Sequence, residues 1–204
     1  MQADLSPISG NPLATPEQVT QFWLREKTPK DWYTGGEALD QEIRDRFQAT
    51  WEAARAHRLK DWCQNARGML AMIILLDQFP RNMFRGSGKS FSTDAQARAI
   101  AKQAIERNWD KRIPEPERQF FYMPLMHAEC LVDQDRCVRM ILTRMPETGN
   151  NTLSHAQAHR EVIRQYGRFP YRNEALGRAS RPEERAYLDA GGYGYTVNSL
   201  KGAA

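Results

Sequence analysis

Cysteine is scarce in this chain. Cys63, Cys130 and Cys137 form an odd set with no C-x-x-C spacing, which argues against a disulfide framework or zinc cluster and for reduced core residues. Charge of one sign is lacking too. The 29 Lys and Arg residues exceed the 25 Asp and Glu by a net +4, and the basic residues are scattered. So mild an excess gives solubility and a weak pull on anions, short of a nucleic-acid footprint. No apolar run approaches the roughly 20 residues a bilayer requires. Met1-Gln2-Ala3-Asp4-Leu5-Ser6-Pro7 lacks the basic and apolar regions of a signal peptide. No stretch alternates with period two, so no strand is expected. Gly-x-Ser-x-Gly is absent. Arg85-Gly86-Ser87-Gly88-Lys89-Ser90 departs from the Walker phosphate loop, because Met83 stands where its first glycine belongs; a mobile surface loop is expected. These absences leave a cytoplasmic, all-α protein, with no nucleic-acid or membrane partner expected and no pattern that calls for a cofactor or metal.

What the chain does have is one uninterrupted apolar run, Met69 to Leu76, ending in Asp77-Gln78-Phe79-Pro80-Arg81-Asn82. A helix apolar on every side belongs inside a fold. Pro80 disfavours helical geometry at Phe79, so the helix is expected to stop there. A carboxylate and a guanidinium so near a buried helix are costly unless paired or used. This makes Asp77, Arg81 and Asn82 candidate site residues.

Around this helix the spacing predicts others. Thr15-Pro16-Glu17-Gln18 carries a capping box. A helix from about Glu37 to about Lys60 buries Leu39, Ile43, Phe47, Trp51 and Ala54, and turns Asp40, Glu42, Arg44 and Asp45 outward. Gly68 suits close helix–helix contact. Thr93-Asp94-Ala95-Gln96 reads as a second capping box, opening a helix to about Asn108 with Ile100, Ala104 and Ile105 inward. Pro124 should kink or split a helix that starts after Pro116. Helical spacing resumes from Asp133 to Met145 and from Thr152 to Tyr166, where Gly167 is the stop. Ser180-Arg181-Pro182-Glu183 caps a last short helix ending at Gly191-Gly192. The expected organisation is a loosely ordered segment over 1–14, a single helical domain over 15–192 and a tail over 193–204. One motif echoes: Phe79-Pro80-Arg81-Asn82 and Phe169-Pro170-Tyr171-Arg172-Asn173 each give an aromatic anchor, a proline and then Arg-Asn, which suits stacked helical hairpins.

Leu76-Asp77-Gln78-Phe79-Pro80-Arg81-Asn82, Tyr122-Met123-Pro124-Leu125-Met126-His127-Ala128-Glu129, His159-Arg160 and Gly167-Arg168-Phe169-Pro170 resemble the bacterial family known as domain of unknown function 924. The resemblance runs in register from about Phe22 to about Gly192. It implies a single-domain stack of helical hairpins similar to tetratricopeptide repeats, a cytoplasmic protein and no settled activity. The family more often shows a histidine where Tyr171 stands, and His155 is not a feature of it.

The remaining candidates are weighed against plain structural roles. Arg81, four residues after Asp77, suits an ion pair or the helix-terminal carbonyls. Adding Arg172 gives two guanidiniums suited to a planar anion. His127 reads as a core histidine, a base or a ligand contact. Glu129 points to another face and should pair with an arginine. His155 and His159 share a helix face at metal-ligand spacing but lack the zinc-protease glutamate, so a solvated His155 and a partly buried His159 are expected. Arg160 suits an anion contact or a surface ion pair. The tryptophans read as packing anchors rather than base-stacking platforms. The favoured function is binding of a small anionic metabolite or carboxylate-bearing peptide by Asp77, Arg81, Asn82, His127, Glu129, His159, Arg160, Arg168, Arg172 and Asn173. The alternatives are an acid/base hydrolase or lyase, with His127 or His159 as the acid/base and Asp77 orienting it, and a helical scaffold for another protein.

Overall fold

The structure is a computed structural model that describes residues 12–202. The expectation of a loosely ordered start therefore falls, for residues 1–11, outside the described residues. Every regular element among the described residues is helical, and none of these helices is long and apolar enough to cross a membrane. The chain divides between Ile113 and Pro114 into two compact units.

In the first unit, helix α1 (Pro16–Gln21) starts on the predicted box. Thr15 Oγ1 accepts from the Gln18 N–H at 3.3 Å, and Gln18 Oε1 accepts from the Thr15 N–H at 2.8 Å. A wider π turn, Phe22–Glu26, continues it, and α2 (Pro29–Thr34) adds a helix that the spacing does not predict. Its signal is Thr28 followed by Asp31, a second capping box.

Helix α3 (Glu37–Arg55) stops short of Lys60. His57 adopts a left-handed φ of 59°, and the N–H groups of His57 and Arg58 close back on the carbonyls of Ala54 and Ala53, which satisfies the helix end. Ile43, Phe47, Trp51 and Ala54 are buried as expected, and Leu39 is half-buried. Asp40, expected outside, is buried as well, because Arg85 clamps it with two hydrogen bonds of 2.8 and 2.9 Å.

The central run becomes α4 (Ala66–Ile73), a π turn over Ile74–Gln78 and α5 (Phe79–Met83). Helical geometry thus passes through Pro80, contrary to expectation. Phe79 reaches back five residues to Ile74 O, and the register shift accommodates the proline ring. Pro80 has no N–H to offer Leu76 O. Thr93 Oγ1 donates to that carbonyl instead, at 2.6 Å in the core. This employment of Thr93 is why the predicted box opening α6 (Asp94–Glu106) does not form. Gly68 does mark a close approach, but to the preceding turn: a Cβ there would sit 2.0 Å from Trp62 O. Phe22, Trp23, Phe47 and Phe79 pack ring against ring at the centre of this unit, burial that dominates its stability.

In the second unit, Pro124 splits the chain as expected. A 3₁₀ turn (Glu117–Phe121) gives way to α7 (Met123–Met126), with Pro124 in its first turn. Then come α8 (Leu131–Arg144), α9 (Asn150–Tyr166), a 3₁₀ turn (Pro170–Arg172) and α10 (Pro182–Asp189). The segment read as a tail is also helical, α11 (Gly192–Gly202). Helix α9 packs against both α8 and α11. Val162, Ile163, Tyr166, Phe169 and Tyr187 form a buried cluster beneath these helices. Cys63, Cys130 and Cys137 are free thiols, and burial pushes the Cys137 thiol far up.

Candidate functional site

Asp77, Arg81 and Asn82 belong to the first unit; His127, Glu129, His159, Arg160, Arg168, Arg172 and Asn173 belong to the second. Each group has its own geometry.

In the first, Arg81 lies on the α5 turn and is held from several sides. Its guanidinium forks onto Asp94 at 2.9 and 3.0 Å, donates to Asp77 O at 2.6 Å and stands 3.6 Å from the Asp77 carboxylate. Asp77 is fully buried and also accepts from Gln78 Nε2 at 2.6 Å. Asn82 donates to Gln78 O and accepts from Arg85. Arg81 thus serves the helix-terminal carbonyl and two carboxylates together, the structural role weighed for it from sequence. A fork–fork pair of this kind fixes the start of α6 against α5.

The second unit gathers histidines. Gln134 of α8 donates to Met126 O and Ala128 O, at 2.5 and 2.8 Å, and so pins the turn that carries His127. The long helix α9 places His155 and His159 one turn apart. Gly167 ends α9 in the left-handed conformation, φ 73°, which turns the chain so that Phe169 is fully buried beside it. The rings of His127 and His159 lie 6.1 Å apart, those of His159 and Phe169 5.4 Å, and those of His159 and Tyr193 4.6 Å. Tyr171 stacks on Phe169 at 5.3 Å and meets Tyr193 at 5.9 Å. The buried Arg172 guanidinium lies over the Phe169 ring at 4.5 Å and donates to His127 O at 3.1 Å, a cation–π contact shielded from water.

His159 is the best-defined member. Its Nδ1 lies 2.9 Å from His155 O, and a carbonyl only accepts, so Nδ1 carries the proton and Nε2 keeps its lone pair. Burial, and next the charge of His127, push its pKa down to about 3, with Arg172 acting in the same direction. The ring is therefore neutral at neutral pH, an acceptor in electropositive surroundings. His155 and His159 are both half-buried, the latter as expected, and His155 Nδ1 stands 2.7 Å from the Tyr193 hydroxyl. Among the described residues no three metal-ligating side chains gather.

Two carboxylates frame this cluster. Glu129 takes a two-pronged clamp from Arg178 at 2.7 and 2.9 Å and accepts from the Phe169 N–H at 2.8 Å, as the predicted arginine pairing requires. Burial raises its pKa, but those donors outweigh it and hold the carboxyl below the usual range. Arg168 does the same for the fully buried Glu184, at 2.6 and 2.7 Å. Asn173 and the Arg181 N–H also donate to Glu184. Chiefly through Arg168, these hold its pKa down at about 2. Asn173 Oδ1 is buried with no hydrogen-bond partner among the described residues. Arg160 forms a loose surface pair with Asp135 at 3.6 Å. Sequence reasoning missed Tyr193, whose only signal is an aromatic in the Gly191-Gly192-Tyr193-Gly194-Tyr195 stretch, and the ring contacts of Tyr171; Phe169 is the aromatic anchor expected of it.

The chain was compared with known proteins. No curated protein matches it. It is similar to a solved structure described as a protein of unknown function, ATU0120, from Agrobacterium tumefaciens. The two are 38% identical, with a TM-score of 0.79, over 85% of this chain and 96% of that one. The family model described as "Bacterial protein of unknown function (DUF924)" matches residues 19–192, a span that takes in both Phe-Pro corners and all four histidines, and the chain belongs to that family.

Proposed function

We propose that this is a cytoplasmic binding protein whose second unit takes a small anionic metabolite, or a peptide through its carboxylate, at His127, His159 and Arg172, with Tyr171 and Tyr193 as walls. A stack of hairpins akin to tetratricopeptide repeats is the framework proposed with it, supported by the α8–α9 hairpin closed by the short Met145–Gly149 connection. The observation that carries the reading is His159. A neutral ring with Nδ1 spent on a backbone carbonyl, and Nε2 in no hydrogen bond among the described residues, suits a ligand hydroxyl or amine donor. Arg172 and His127 then supply the positive field for its anionic group. Calorimetry against a panel of small carboxylates and phosphates tests it, with His159→Gln and Arg172→Gln alongside and thermal unfolding checked for each. Loss of binding by folded variants is expected; a ligand bound equally well by both variants would refute the site.

The 6.1 Å between the His127 and His159 rings favours a second reading, acid/base catalysis on the bound molecule. His127 would then exchange the proton, because a ring with a pKa near 3 is a poor base and is not protonated near pH 7. A bell-shaped pH–rate profile abolished by His127→Asn would establish it.

A further inference from the structure

We propose a separate ligand site in the first unit, a cleft that takes a small amphipathic monoanion: an apolar body bearing one carboxylate or similar headgroup. The cleft has a volume of about 830 Å³ and is walled by the end of α3, the turn Lys60–Gln64 and α6, within the size range of small-molecule sites. Its apolar surface comes from Leu59, Met72, Ala99 and Ile100. Its charges are all of one sign. Arg55 and Lys60 line it, and no aspartate or glutamate does. Neither cation pairs with a carboxylate among the described residues, in contrast to Arg81, Arg85, Arg168 and Arg178. Arg55 is steadied instead by the Trp51 ring, 5.6 Å away.

A third feature is the choice of histidine at position 57. The backbone there needs a left-handed φ of 59°, a position at which helices favour glycine. His57 nevertheless places an imidazole on the cleft wall, with Nδ1 3.3 Å from Gln96 Nε2, and the same amide donates to Ala54 O at 2.8 Å. A conformational cost is thus accepted where a polar ring faces the cleft. Two unpaired cations, a polar wall and an apolar floor together select an anion with a hydrocarbon body over a neutral or cationic one.

Octanoate is the probe, with octanol and octylammonium as controls, measured by calorimetry on the full chain. Saturable binding of octanoate, and at least roughly tenfold weaker binding of both controls, is expected. Arg55→Gln combined with Lys60→Gln should weaken octanoate by a similar factor. Ala99→Trp, at an exposed position, should fill the cleft and abolish binding with the fold intact. His57→Gly should weaken binding with no loss of thermal stability. The location is read from Cys63, a half-buried thiol on the cleft wall: in a Cys130→Ser background, octanoate should slow its alkylation by N-ethylmaleimide. No saturable binding, equal binding of octanol, or binding that leaves Cys63 alkylation unchanged would each overturn the site.

Discussion

The two Phe-Pro corners place the same residues in different surroundings. Phe79 and Phe169 are both fully buried anchors, and each is followed by a proline and an Arg-Asn pair. At the first corner the guanidinium of Arg81 is absorbed by Asp94 and Asp77, and its charge goes into joining α5 to α6. At the second, Arg172 lies on an aromatic face close to His127 and His159. The carboxylates Glu129 and Glu184 are clamped by Arg178 and Arg168, and the Arg172 charge also acts on Glu129. One corner thus spends its cation on structure. The other surrounds its cation with an aromatic ring and groups that titrate or accept, which is what the proposed ligand site would require. Similarity of sequence between the two motifs did not carry similarity of surroundings; partners supplied from far along the chain decided them.

The largest expected effect falls on the clamp behind the second corner. Glu184→Ala removes the carboxylate that Arg168, Asn173 and Arg181 share, and leaves Arg168 without its partner. A loss of about 3–5 kcal/mol is expected in urea denaturation. A loss under about 1 kcal/mol would show that the second corner is not braced in this way.

The first corner should respond next. Thr93→Val keeps the side-chain shape but leaves Leu76 O buried and unsatisfied, at a cost of about 1–3 kcal/mol. Asp94→Asn should cost about the same by disarming the Arg81 fork. Neither change should alter binding at the histidine cluster, whereas Arg172→Gln should. If Asp94→Asn abolished ligand binding without unfolding the protein, the division of roles between the corners would fail.

A pH titration sharpens the contrast further. His159 has a folded pKa of about 3, below its unfolded value of 6.5. Between those values the unfolded chain holds the extra proton, so stability should rise with pH across that window and be lost as pH falls. The slope from this one ring is at most about 1.4 kcal/mol per pH unit. Glu184 works in the same direction lower down, its stabilisation being lost from about pH 4.5 toward 2. Comparing His159→Gln with the parent protein isolates the histidine: the variant should show a flatter profile between pH 6 and 4, and an unchanged slope would mean that the ring is not held neutral.

Much of this was legible because helix signals are local. Thr15 with Gln18, Gly167 after Tyr166 and the proline split at Pro124 each act within a few residues, so spacing alone places them. Pro80 misled for the same reason. Its local rule says stop, but a π turn upstream and a hydroxyl thirteen residues downstream, Thr93, satisfied what the proline left open. Asp40 looked like a surface residue until Arg85, far along the chain, came to meet it. The histidine cluster was half legible. His127, His159 and Arg172 stand out by type, and the bond of His159 to His155 O lies within α9, while Tyr193 joins them only once α11 packs on α9.

The smallest expected effect is the most direct probe of the second corner's purpose. Tyr171 is exposed at 37%, stacks on Phe169 and meets the Tyr193 ring. Tyr171→His keeps a flat aromatic ring, so stability should change by no more than about 0.5 kcal/mol in denaturant unfolding. The new imidazole would stand in the same ring cluster as His159, so its protonation should strengthen anion binding below its pKa, near 6.5. A steeper pH dependence of anion affinity between pH 7 and 5.5 is therefore expected, with stability nearly unchanged. Destabilisation beyond about 1 kcal/mol would make Tyr171 a structural ring, like the aromatics of the first unit. An affinity blind to pH would place the bound anion away from this corner.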